Sequence, residues 1–133
     1  MFFAFDITIN ANTLEASPKT EELTLSKGVI TRIEVKFAAG CHGYVKVRLF
    51  YHEGQLIPLS REEWLIGDDE AIPTDTYFEM TSTPYELKFV GISPDSDYAH
   101  TVTIRVTVLP KIVASALEVV RVLERIYNRL FGR

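Results

Sequence analysis

Apolar and polar residues alternate with period two through most of the first 109 positions, and no long helical repeat interrupts them. A chain patterned this way is confined to half-buried β-strands. The clearest run is Val29–Phe37, where Val29, Thr31, Ile33, Val35 and Phe37 share one face while Arg32, Glu34 and Lys36 share the other. The first residues repeat the theme, with Phe3, Phe5, Ile7 and Ile9 opposed to Ala4, Asp6 and Thr8. The last strand pattern sets Val102, Ile104, Val106 and Val108 against Thr101, Thr103, Arg105 and Thr107. Further strands are expected around Leu23 and Leu25 and over residues 44–51, 56–59, 76–80 and 85–92, with turn residues between them.

Eight strands without helical crossovers exclude a parallel sheet. The expected fold is all-β: an antiparallel β-sandwich of about eight strands, jelly-roll-like, with an immunoglobulin-like arrangement fitting the same count. The glycines of 39–43 suggest a hairpin joining Val29–Phe37 to residues 44–51, in which Glu34 faces Lys46 or Arg48. Ser60 followed by Glu63 has the form of a capping box, predicting one helical turn through Trp64.

After Pro110 the pattern changes. From Lys111 to Phe131 there is no Gly or Pro, so one helix is expected, about 30 Å long, opened by Pro110 and stopped by Gly132. Ile112, Ala116, Val119, Leu123, Ile126 and Leu130 recur at alternating steps of four and three, an unbroken a/d seam. Val113, Leu117, Val120, Tyr127 and Phe131 form a second stripe beside it, interrupted by Glu124. A helix packed on its own domain needs one apolar stripe. The expectation is that one stripe meets the body and the other a second copy or another protein, against the alternative that loops of the same chain cover both. An amphipathic helix lying on an anionic membrane accounts for the arginines but not for the regular seam. The division is therefore residues 1–109 as the sandwich and 110–133 as a packing or oligomerisation helix.

Charge follows the same division. Residues 110–133 carry Lys111, Arg121, Arg125, Arg129 and Arg133 against Glu118 and Glu124, a net +3, which leaves −7 of the overall −4 to residues 1–109. An acidic body argues against nucleic acid as a partner. No run reaches 18 apolar residues and the first ten lack a basic segment, so neither a membrane span nor a signal peptide is expected; cytoplasmic synthesis follows, with a virion as one destination. A single cysteine, Cys41, allows no disulfide within the chain.

Signs of chemistry are sparse. Cys41 and His42 are adjacent in a glycine-flanked turn, and His52 and His100 stand apart, with none of the spacings that mark zinc, serine-nucleophile or phosphate sites. Asp68, Asp69, Glu70 and Asp75, with Asp95 and Asp97, are acidic loop residues of the kind that hold calcium, although turn chemistry accounts for both loops. Tyr44, Trp64, Tyr77 and Tyr98 are candidates for a sugar-stacking platform. The reading is a non-enzymatic protein without a cofactor that self-associates or docks into a larger assembly through its helix. In general organisation it resembles the small structural proteins of large assemblies, such as virion decoration, cement or tail-accessory proteins. The interface expected is Ile112, Ala116, Val119, Leu123, Ile126 and Leu130, with Tyr127 and Phe131 beside them. The competing class is a carbohydrate- or peptide-binding module that uses end loops, with or without calcium.

Overall fold

The structure, a computed structural model, describes residues 1–60 and 63–132. It consists of two antiparallel sheets, not closed into a barrel, and one C-terminal helix. The strands are β1 (Phe2–Ile9), β2 (Lys19–Thr24), β3 (Val29–Phe37), β4 (Lys46–Tyr51), β5 (Gly54–Ile57), β6 (Leu65–Ile66), β7 (Glu70–Glu79), β8 (Glu86–Ile92) and β9 (His100–Leu109), and the helix is α1 (Lys111–Phe131). One sheet has the order β1-β9-β3-β7 and the other β2-β8-β4-β5, with β6 also on β4. The pairs are nested: β1 pairs with β9, β2 with β8, β3 with β7, and β4 with β5 and β6. Successive pairs alternate between the sheets.

Alternation places one face of each sheet inside. Ile7 and Ile9 of β1, Ile33, Val35 and Phe37 of β3, and Val102, Ile104, Val106 and Val108 of β9 are buried in one cluster with Leu23, Val47, Leu49, Leu87 and Phe89 of the other sheet. At about 1.5–3 kcal/mol for each buried large aliphatic or aromatic side chain, this shared core is the main favourable term for the fold. The alternating faces read from β1 and β9 are those observed; in β3 the reading holds from Ile33 to Phe37, while a bulge between Ile30 and Arg32 puts Ile30, not Val29, in the core cluster.

The hairpin expected between Val29–Phe37 and residues 44–51 does not form. β3 and β4 lie in different sheets, because the connection over 38–45 is long enough to cross between them and β9 and β7 occupy both flanks of β3. Glu34 accordingly meets not Lys46 or Arg48 but Arg105, directly opposite on β9, with Arg32 at 3.7 Å. Arg32 also reaches Asp75 of β7 at 3.5 Å. Partly exposed pairs of this kind add little stability, but they fix which strand lies beside which.

Other boundaries differ as well. The acidic stretch from Glu70, read as a loop before residue 76, is the first half of β7. Pro73 hid it; Pro has no N–H for a ladder, but β7 is an edge strand bonded only to β3, so the missing donor is tolerated. β2 starts at Lys19 and leaves Leu25 outside, and β5 spans Gly54–Ile57 where residues 56–59 were expected. The helical turn expected after Ser60 lies partly outside the described residues; Glu63 and Trp64 have no helical structure, and Leu65–Ile66 joins β4 as a strand. β5 and β6 thus share one flank of β4 as two pieces of an interrupted edge.

The registers sort the connections into two ends. Residues 10–18, 38–45, 67–69 and 93–99 lie at one end, since Ile9 and Phe37 pair with the start of β9 and Lys46 with the end of β8. The turn at 25–28 and the start of α1 lie at the other, where Val29 pairs with Leu109. Gly28 is held there against the end of β9: a Cβ would sit 2.5 Å from the carbonyl oxygen of Leu109. Gly28→Ala is expected to lower unfolding free energy in urea by about 1–3 kcal/mol, the usual range for overpacking. Gly54→Ala, whose new methyl meets only a carbonyl at 3.7 Å, is expected to be near neutral.

Candidate functional site

The outward side of α1 is the candidate site. Pro110 ends β9 because it has no N–H to donate, and at φ −57° and ψ 145° it turns the chain into the helix. Its carbonyl accepts the N–H of Ala114 at 3.0 Å, the first helical bond. The helix runs over Lys111–Phe131, as the sequence predicts, and Gly132 ends it in extended conformation with its N–H on the Asn128 carbonyl at 2.9 Å.

The body holds only the first turn and a half. Lys111 Nζ lies 3.2 Å from Glu79, Ser115 Oγ lies 2.9 Å from the Tyr77 hydroxyl, and Ala114 is buried at 2% exposure. Ala114 is the helix's one buried residue among those described. At 100° per residue it lies roughly 160° around the helix from Ile112, so the body grips the side opposite the seam.

Every seam residue is exposed: Ile112 (85%), Ala116, Val119, Leu123 (59%), Ile126 and Leu130. The second stripe is exposed too, through Val113, Leu117, Val120, Tyr127 and Phe131 (69%). The expectation that one stripe would meet the body is therefore overturned, as is the alternative that loops of the same chain cover both. The surface beneath the helix is formed by β3 together with the edge strand β7, the latter offering a hydroxyl and a carboxylate, while the core cluster between the sheets contains no helix residue. Tyr127 and Phe131 pack ring to ring at 5.3 Å. Glu118 is flanked by Arg121 at 3.8 Å and Arg125 at 3.9 Å, so its charge is compensated within the helix. At the root, Lys27, Gly28, Glu79, Met80, Pro110 and Ile112 line a mostly apolar groove of about 320 Å³. No helix among the described residues is long and apolar enough to cross a membrane.

The other candidate residues gather mainly at the opposite end of the sheets. Cys41 is fully buried, and burial, with the nearby charge of Asp68, pushes its thiol up from the ordinary range. His42 turns outward from it, at φ 48°, and places Nδ1 3.3 Å from Asp68. Asp68 also accepts the Gly40 N–H at 3.1 Å. The Asp68 carboxyl is held below its usual range chiefly by the His42 backbone N–H, against partial desolvation and with help from the His42 charge. His100 Nε2 lies 3.0 Å from Ser96 Oγ, and His52 sits in the β4–β5 turn with its ring 4.2 Å from that of Tyr51 and tilted against it by 51°.

The acidic residues read as calcium candidates are dispersed. Asp75 is on β7 beside Arg32, Glu70 opens β7, and Asp68 is engaged by the 40–42 turn. No group of three or more His, Cys, Asp or Glu placed to hold a metal occurs among the described residues. Of the aromatics, Trp64 is covered by the Arg48 guanidinium at 3.8 Å and Tyr77 is engaged by the helix, while Tyr44 and Tyr98 are exposed in the connections at the far end. Sequence reasoning missed the placement of Ala114, which is buried on the side of the helix away from the seam.

Comparison with protein-family models and with curated proteins finds no match to this chain.

The Asp68 carboxylate clamps the 40–42 turn, and its pKa is depressed in the folded state. Its contribution is therefore present above the unfolded carboxylate value of about 3.9 and is lost as pH falls through the lower folded value. The stability gap between the native chain and Asp68→Asn, measured by urea unfolding, is expected to be larger at pH 6 than at pH 3.

Proposed function

We propose that this chain is a non-enzymatic building block whose two-sheet body is carried into a larger assembly by the exposed apolar face of α1. The observation behind this reading is that the body grips the helix on the side away from the seam, leaving Ile112, Ala116, Val119, Leu123, Ile126 and Leu130 in water together with Tyr127 and Phe131. Apolar side chains repeated over the whole length of a helix make a continuous patch, and patches of this kind mark contact surfaces. Covering each large side chain is worth about 1.5–3 kcal/mol before the cost of association.

The body itself we read as a β-sandwich of the jelly-roll kind. Pairing first strand with last, second with second-last and so inward, in alternate sheets, is the order given by rolling up one long hairpin into two Greek keys. Capsid and lectin domains share this architecture. Fold alone does not choose between them. The helix favours the structural class, in which virion decoration, cement and tail-accessory proteins are the instances we have in view; a sugar- or peptide-binding role would use the connections at the far end.

Leu123→Glu and Ile126→Glu test the reading. Each places a carboxylate in the contact without touching the body, at a cost of several kcal/mol for every buried unpaired charge. Either is expected to shift the chain to its 15.1 kDa monomer mass in sedimentation, with the far-ultraviolet β signal retained, while Asn128→Glu on the opposite side keeps the native mass. Native chain that sediments as a monomer at all concentrations would count against the proposal.

A further inference from the structure

Given α1 as an association surface, the order of residue types along its seam also bears on the number and direction of the helices it would join. In heptad terms Ala116, Leu123 and Leu130 occupy a, while Ile112, Val119 and Ile126 occupy d. In a parallel pair of helices the d side chains point straight at the partner, where Leu fits and β-branched residues do not; β-branched residues prefer a. This chain has the reverse, with every d position β-branched and Leu at two of three a positions. Leu at a with Ile at d is the pattern that shifts parallel coils from two strands towards three and four. The e positions, Val113, Val120 and Tyr127, are apolar as well, which widens the face beyond what a two-stranded seam covers.

The body sits where such a bundle requires it. Ala114, buried against the sheets, is at f, and its neighbours in contact, Lys111 and Ser115, are at c and g. The f position faces outward in any coil, and the contacts at c and g are confined to the first turn and a half, so the flank from Val122 onward is left open.

The two flanks of the helix are complementary to each other. One presents Leu117, Val120, Tyr127 and Phe131 around Glu124; the other presents Lys111, Ser115 and Glu118 in its first turns and Val122, Arg125 and Arg129 beyond them. In a parallel ring the first flank of each helix meets the second flank of the next, so Glu124 faces Arg125 and arginine stems lie along the aromatic rings. We infer that α1 assembles four copies of this chain into a parallel, in-register bundle, with the bodies around its N-terminal end, an inference that rests on the association role proposed for the helix.

Three measurements test this on the full chain. Sedimentation equilibrium is expected to give four times the chain mass. Exchanging the two residue types, through Val119→Leu, Leu123→Ile, Ile126→Leu and Leu130→Ile together, keeps the face apolar but restores the two-stranded pattern, and is expected to halve that mass. Under oxidation Leu130→Cys is expected to form a disulfide between copies, because in-register parallel helices place position 130 against itself; buried Cys41 is the control and stays reduced. A native mass of two or three chains, an unchanged mass in the exchanged variant, or a Leu130→Cys chain that stays uncrosslinked would each overturn the parallel four-chain bundle while leaving the association reading standing. A monomer at every concentration would overturn both.

Discussion

Where α1 points is decided by a small polar contact. Lys111 with Glu79 and Ser115 with Tyr77 tie its first turns to the edge strand β7, the methyl of Ala114 is buried beside them over the β3 side of the sheet, and Pro110 fixes the corner by which the chain leaves β9. None of these contacts supplies much burial. They set direction, and the direction turns a seam built for packing away from the apolar core between the sheets.

That core is complete without the helix. Strands from both sheets bury Phe37, Phe89 and the surrounding Ile, Leu and Val side chains together, and the nested pairing puts polar partners such as Glu34 and Arg105 on the outer face. A body closed in this way holds the 21-residue helix only by its first turn and a half. The two halves of the chain therefore answer different requirements: the strands satisfy each other, and the helix is left with several large side chains whose burial free energy, about 1.5–3 kcal/mol each, is available only to an association.

The period of the strands and the limits of the helix were legible in the sequence because both are local. Alternation at Val29–Phe37 and from Val102 onward needs only neighbouring residues, and a run free of Gly and Pro between Pro110 and Gly132 declares its own ends. Partnership was not legible. Nothing within Val29–Phe37 says that its flanks belong to β9 and β7, so the adjacent strand over 44–51 looked like its mate. Glu70 to Pro73 looked like a loop because an edge strand tolerates a proline that a central strand does not. The seam residues could be named from spacing alone, but which side of the helix met the body depended on Ala114, a residue too small to stand out in any pattern.

Hydrogen exchange of the α1 backbone amides at high and low protein concentration addresses the central claim most directly. If other copies cover the outward face, amides from 116 to 131 are slow to exchange in concentrated solution and become fast on dilution, while those of β3 and β9 stay protected throughout. Helix amides that exchange at one rate across the whole concentration range would contradict it.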